Sequence, residues 1–436
     1  MNGPSDRSGS LDRSRSSLTG YRSRHRSQSH ADAHDDADAG QPAVLQHPLV
    51  PPGDATLLAT PDELASLLEH LRTQQRFAYD SEFIGESSYY PQLCLIQVAT
   101  AERVVLIDPL QGLDLTPFWE LIADPALEKI VHAGEQDLEP VTRHTGRRPT
   151  NVFDTQVAAG FAALAYPVSL AKLMNELLGV ALGKGLTFTQ WDARPLSKKQ
   201  LRYAADDVRY LIAAHATLLD RLKTNGRLDA ARAECDARSD PSRWTRDFEK
   251  DYLDLRGAST LDGRQLAVLK ALFQWRDQTA REQNLPPRAL MKDDVLIDLA
   301  RKPPKSREQL GNVRGLPRPV EQGFGVQIVP LVQAAWGKPV PVPPRPPEPT
   351  PSQRFETDAL WALVQSICAA QGIDTALLMS RHELGELHRA IRGGEDLSAH
   401  PAFTGWRGEV LGERLRTLLA GKATLGLRWD GGLRLA

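Results

Sequence analysis

The chain is poor in cysteine, with three thiols, Cys94, Cys235 and Cys368, among 436 residues. Their odd number, long spacings and lack of any Cys-x-x-Cys exclude a disulfide framework and a thiolate zinc site, and they suit a reducing, cytoplasmic setting. No run of eighteen apolar residues occurs, so no transmembrane helix is expected. The first residues lack an apolar stretch behind their charges and do not read as a secretory signal. Net charge is also nearly absent, at −2. No global basic field therefore announces a nucleic-acid partner.

Charge is present locally. Residues 55–225 carry 16 Lys/Arg and 21 Asp/Glu, a net of −5, whereas residues 256–338 carry 14 and 8, a net of +6. A basic helical segment can supply phosphate contacts without sequence preference. Residues 1–54 open with a Ser/Arg-rich stretch and an acidic patch at 31–38. They offer little to bury and are expected to form a disordered tail.

Order is expected from about residue 60. Thr60-Pro61-Asp62-Glu63 combines an N-cap, a first-turn Pro and a capping-box Glu. Strand-like runs at 77–80, 93–99 and 103–107 suggest an antiparallel meander, followed by alternating strand and helix. A mixed α/β domain over 55–225 results. Its last helix is expected to start at the Ser197/Gln200 capping box and run unbroken to Thr224. A connector, 226–255, leads to helical segments at 256–338: one amphipathic helix, stopped by Pro286-Pro287, and two shorter ones. Residues 339–353 are Pro-rich and read as a stiff spacer. A second helical domain, 354–425, and a tail, 426–436, complete the division.

Three patterns carry chemistry. Asp80-Ser81-Glu82 ends an apolar strand run, and the i and i+2 side chains share one strand face. Two carboxylates at a strand end suit a divalent cation. Asp137 lies in the first turn of a helix just after a strand. Tyr203 and Asp207 are i and i+4 on one helix face. Taken singly, each pattern is common: a solvated turn, an acid at a helix N-terminus, a packed phenol.

In this order, with their surroundings, the patterns resemble the ribonuclease D family, DEDDy-type 3′→5′ exonucleases that carry HRDC modules. Asp80-Ser81-Glu82-Phe83 followed by Tyr90-Pro91-Gln92-Leu93 resembles the first motif. His132-Ala133-Gly134 leading to Asp137-Leu138-Glu139 resembles the second. Trp191-Asp192-Ala193-Arg194-Pro195-Leu196 with Tyr203-Ala204-Ala205-Asp206-Asp207 resembles the third. Ser81 stands where the family more often has Thr, and it is expected to contribute mainly backbone. The helical segments resemble HRDC modules at 258–336 and, more weakly, at 354–425, where Gly405-Trp406-Arg407-Gly408-Glu409 resembles a C-terminal motif of the family.

The resemblance implies an RNase H-like α/β exonuclease domain followed by all-α HRDC-like domains. It implies two divalent ions, Mg²⁺ or Mn²⁺. Asp80, Glu82 and Asp207 would hold one beside the attacking water. Asp80 would reach the second, which Asp137 would support. Tyr203 would align the water, since a phenol with a pKa near 10 is a poor base at neutral pH. Phe83, Gln97 and His132 are the candidate substrate contacts. The expected substrate is an RNA 3′ end, with tRNA precursors suggested, and the expected product is a nucleoside 5′-monophosphate. No membrane or protein partner is expected. Two other functions fit the same residues: a DNA-directed 3′→5′ exonuclease, and a non-catalytic RNA-binding protein on the same fold.

Overall fold

The computed structural model describes residues 44–436 except 86, 184, 186–188, 345–346, 425–426, 430–432 and 436. The expected tail therefore falls outside the described residues as far as 43. Residues 44–54, expected to be disordered with it, are packed. Val50 is buried, and Val44, Leu45 and Leu49 lie against the same core. Arg209 donates to the carbonyls of Pro51 and Gly53 at 2.7 and 2.9 Å. These contacts are with a helix far along the chain, which local composition does not display.

Six strands form one sheet: β1 (Thr56–Leu58), β2 (Arg76–Ile84), β3 (Gln92–Ala99), β4 (Val104–Ile107), β5 (Glu128–Val131) and β6 (Val152–Asp154), in the order β1-β4-β3-β2-β5-β6. β3 and β4 are antiparallel, while β1–β4, β2–β5 and β5–β6 are parallel. The mixed α/β class is as expected from the sequence. Alternation along β2 sends Phe77 and Tyr79 to one face and Ala78 to the other. Helices α1 (Pro61–Thr73), α2 (Thr116–Ile122) and α3 (Glu135–Thr145) cover the first face through Leu64, Leu71, Phe118, Trp119 and Leu138. On the second lie α4 (Thr155–Phe161), α5 (Leu170–Leu178), α6 (Lys198–Arg209) and α7 (Leu211–Thr224), with α8 (Leu228–Arg238) beyond. The Thr60/Glu63 and Ser197/Gln200 capping boxes both form. The helix expected to run from 198 to 224 is broken at Tyr210. No Gly or Pro in the sequence marks that break.

Two compact units divide the described residues: one within 44–84, 93–245 and 347–436, the other within 85–92 and 246–346. The second unit is helical. Its core lies between α9 (Gly263–Gln283), α10 (Pro287–Leu290), α11 (Asp293–Arg301), α12 (Arg307–Gly311) and α13 (Arg318–Trp336), around Leu269, Leu272, Leu296 and Ile328. That is four helices after Pro286, where two short ones were expected. Residues 85–92 belong to this unit. The Tyr89 hydroxyl donates to the Asp277 carboxylate at 2.9 Å, and Arg281 lies over the Tyr89 ring.

The C-terminal helices α14 (Pro351–Gln371), α15 (Thr375–Leu378) and α16 (Arg381–Gly393) belong to the first unit. So does the stretch Gly405–Arg407, Gly408–Gly412 and Glu413–Leu419, whose middle part is π-helical. Their buried face (Leu360, Val364, Leu377, Trp406, Leu411) joins one continuous core with α4, α7 and α8. Leu377 sits against Gly160, where an added Cβ would come within 2.5 Å of it.

Candidate active site

The strand β2 carries Asp80 and Glu82 toward the face covered by α6 and α7. α6 packs on β2 and β4 and brings Tyr203 and Asp207 to the same place. Asp80, Ser81, Glu82, His132, Leu170, Tyr203, Asp207 and Leu211 line one cleft of about 280 Å³. Asp137 is buried beside it in the first turn of α3, held by two side chains of β2. The Ser81 hydroxyl donates to its carboxylate. The Tyr79 hydroxyl donates to its backbone carbonyl at 2.7 Å.

Ser81 thus contributes its side chain, where mainly backbone was expected. A hydroxyl on Cβ is what serine shares with the threonine usual at that place, and this shared group is the sequence signal for the contact.

The carboxylates repel one another in a site removed from water. Burial raises the Asp80 pKa well above the carboxylate range, and the charges of Asp137, Asp207 and Glu82 add to the rise. Glu82 is pushed up to about 8, by burial and then by Asp207 and Asp137. Asp207 is pushed up to about 7 by burial, although its hydrogen bond from Tyr203 works the other way. Asp137 reaches about 6 through burial, offset by the Ser81 hydrogen bond. Burial and the neighbouring Asp207 raise the Tyr203 phenol, so it keeps its proton and acts as a donor.

Among the described residues, no three His, Cys, Asp or Glu side chains stand in a ready-made ligating arrangement. Asp137 accepts a hydrogen bond from Ser81, and Asp207 one from Tyr203. The donor set itself consists of carboxylate oxygens, the kind that hard divalent cations select. A cation in the cleft would remove the penalty that now raises these pKa values.

The candidate substrate contacts fare differently from one another. His132 lines the cleft, but its ring nitrogens are engaged, Nδ1 with Thr155 Oγ1 and Nε2 with the Val168 carbonyl, both at 3.0 Å. It offers a ligand only its ring surface. Burial holds its pKa below the usual histidine value. Gln97 is fully enclosed in β3 and is not among the residues that line the cleft, contrary to its expected place as a substrate contact. Phe83 is partly exposed at the end of β2, on the Ser81 side of the strand by alternation. Leu170 and Leu211 are apolar walls of the cleft that the motifs did not point to.

Two further residues were given no anchoring role in the sequence reading. Arg194, in the loop before α6, donates to both oxygens of Asp108 at 2.6 and 2.7 Å and to the Cys94 carbonyl at 2.7 Å. Asp154, at the end of β6, accepts backbone N–H groups from two different helix starts. Arg194 was signalled by the third motif, though not its partner, and Asp154 only by an Asp-Thr at a strand–helix junction.

Comparison with known proteins gives two family models: a 3′-5′ exonuclease over residues 56–223 and an HRDC domain over residues 265–332. Ribonuclease D of Gluconacetobacter diazotrophicus is 35% identical over 382 residues, spanning 86% of this chain and 95% of that one. Ribonuclease D of Escherichia coli K12 is 34% identical over 369 residues, spanning 83% and 98%. The crystal structure of E. coli RNase D, described as an exoribonuclease involved in structured RNA processing, superposes with a TM-score of 0.75 at 33% identity. It covers 85% of this chain and 100% of that one.

Proposed function

The chain belongs to the ribonuclease D family, and from that premise we propose how its residues shorten RNA. It is a 3′→5′ exoribonuclease of RNA processing, in a family that generally depends on divalent metal. In our reading Asp80, Glu82 and Asp207 would hold one Mg²⁺ or Mn²⁺, and Asp80 with Asp137 would hold a second. Such ions offset the negative charge that gathers on the attacking and leaving oxygens during phosphodiester hydrolysis. Tyr203, protonated and hydrogen-bonded to Asp207, positions the attacking water. Leu170 and Leu211 keep bulk water from one side of the cleft, and Phe83 stacks on the terminal base. The product is a nucleoside 5′-monophosphate.

The observation that carries this reading is the meeting of Asp80, Glu82, Tyr203 and Asp207 in one cleft, with carboxylates that burial and their neighbours' charge hold above the usual range. We further propose tRNA precursors with extra 3′ residues as the natural substrate, in a reducing compartment that suits three free, buried thiols. Among the described residues no helix is long and apolar enough to cross a membrane.

The test incubates the purified chain with a 3′-extended tRNA precursor and a DNA oligonucleotide of the same 3′ sequence, in Mn²⁺ or in EDTA. The expected result is stepwise loss of 3′ nucleotides as 5′-monophosphates from the RNA, none in EDTA, and slower loss from DNA. Equal trimming of DNA would favour a DNA-directed enzyme. Binding of RNA with no trimming in any metal would overturn the catalytic assignment.

A further inference from the structure

Asp137 lies in the first turn of α3, yet α3 has no side-chain cap of its own. Its N-cap is Gly134, and no side chain there accepts an N–H from the first turn. Gly134 cannot be replaced by a capping residue, because a Cβ on it would stand 2.7 Å from the Val131 Cβ. The residue before it, Ala133, is held at φ 56°, in the left-handed region that costs a non-glycine residue energy. A turn of this kind persists only where its surroundings determine it.

What determines it is Asp154, which is 9% exposed. Its Oδ1 accepts the Ala133 N–H at 3.0 Å and its Oδ2 the Gly134 N–H at 3.2 Å. The same Oδ1 caps α4, accepting from Gln156 at 2.8 Å and Val157 at 3.4 Å. The adjacent Thr155 donates to the Val131 carbonyl at 2.9 Å and also meets His132. One carboxylate therefore joins the start of α4 to the start of α3 and closes the left-handed turn that aims Asp137.

We infer that Asp154 is a positioning residue for metal binding: it sets the place of the Asp137 carboxylate by fixing the turn before α3. This rests on Asp137 supporting a metal, as proposed above. Partners that orient a ligand side chain commonly change metal affinity by about 10–100-fold when lost. A residue that merely capped α4 would change stability and leave metal affinity alone.

Asp154→Ser separates the two roles. A serine hydroxyl can still accept from the second or third N–H of α4 as an N-cap. Being one atom shorter, it cannot also reach Ala133 and Gly134. Asp154→Asn is the second variant, in case the first does not fold: it keeps one acceptor oxygen and sets an amide donor against one of the N–H groups. Ser380→Ala, which removes the N-cap of α16, controls for a loss of stability elsewhere. Asp137→Asn is the benchmark for metal support.

The measurement is calorimetric titration of each RNA-free, full-length protein with Mn²⁺, beside the Mn²⁺ dependence of single-turnover RNA cleavage. The expected result is Mn²⁺ binding weakened by about tenfold or more in Asp154→Ser, Asp154→Asn and Asp137→Asn, and unchanged in Ser380→Ala. Excess Mn²⁺ should restore cleavage by Asp154→Ser. If Asp154→Ser, or Asp154→Asn in its place, binds Mn²⁺ like the unaltered chain while Asp137→Asn does not, the positioning role is overturned and the metal reading stands. If Asp137→Asn itself binds normally, the metal reading of Asp137 fails, and the role of Asp154 fails with it.

Discussion

At the scale of single residues, the cleft separates charge from alignment. Asp80 is assigned to both cations, so Asp80→Asn removes charge from both places at once and should abolish cleavage. Tyr203→Phe keeps the ring and its packing beside Trp191 and loses only the hydroxyl. It should slow single-turnover cleavage at saturating Mn²⁺ by roughly 10²–10⁴-fold, the usual worth of one positioned acid–base group. An unchanged rate would return Tyr203 to a packing role. Glu82 makes the electrostatics measurable without turnover. Its folded pKa of about 8 lies above the ordinary glutamate value of ~4.3. Ionised Glu82 therefore destabilises the metal-free fold fully above pH 8, and the penalty fades as pH falls toward 4.3. Glu82→Gln should raise the metal-free melting temperature by several degrees at pH 8, at roughly 2–4 °C per kcal/mol, and by almost nothing near pH 4.5. A gain equal at both pH values would place the effect in packing instead.

At the scale of elements, each group assigned to the metals or the water sits on a strand or helix whose position is fixed from outside it. β2 delivers Asp80 and Glu82 by alternation, and α6 delivers Tyr203 and Asp207 by its i, i+4 spacing. Both relations were legible in the sequence, as was the capping box that starts α6. What holds α6 in place was not. Arg194 ties the loop before it to Asp108, to the Cys94 carbonyl and to two carbonyls of its own loop, Trp191 and Ala193. Asp108 is 2% exposed, so losing the partner leaves a buried charge. Arg194→Ala should cost about 3 kcal/mol, toward the low end for a broken buried pair because Arg194 is partly exposed. Arg194→Lys should recover little of it, since an ammonium cannot span both carboxylate oxygens and several carbonyls. Denaturant melts of the two variants decide this; near-complete rescue by lysine would show that charge alone is needed. The contrast is general in this chain. A residue's periodicity reports which face it occupies, whereas Asp108, Asp154 and Ser81 act on partners 86, 21 and 56 residues away. Such pairings leave no local pattern.

At the scale of the whole molecule, the hidden feature is what the C-terminal helices pack against. Their apolar spacing, Leu360, Val364 and Ile367, is plain in the sequence, but a stripe does not name its partner. A Pro-rich stretch before them suggested a separate module on a spacer. Instead these helices share a core with α4, α7 and α8. Trp406 packs edge-on to Phe161 at 4.8 Å, and Arg407 pairs with the buried Glu234 at 2.9 Å. Charge makes the same division. Residues 347–436 carry 10 Lys/Arg and 11 Asp/Glu, a net of −1, against +6 for residues 256–338. Phosphate contacts should therefore come mainly from the latter. Replacing the exposed Lys302, Lys305 and Arg314 by Ala should flatten the salt dependence of RNA binding by up to about 2 in log–log slope, at ~0.7 per lost contact. An unchanged slope would remove these three residues from the RNA path.

Deleting residues 256–436 could not make that measurement, because it would also strip the catalytic unit of part of its core. The prediction that follows concerns stability. A module on a spacer can be removed without changing the melting of its neighbour. A shared core cannot, because the surface it covered returns to water at about 25 cal/mol per Å². Ending the chain at residue 346 should uncover Gly160, Phe161 and the α8 face. It should also lower the melting temperature of the exonuclease unit, with increased binding of a hydrophobic dye. Within the full chain, Leu377→Ala isolates one contact. The side chain is buried against Gly160, so its loss should cost about 2–5 kcal/mol. The cost should register in the same calorimetric transition as the core of the exonuclease unit. If Leu377→Ala instead shifted a separate transition and left that of the exonuclease core unmoved, the C-terminal helices would be an independent domain, as the Pro-rich stretch first suggested.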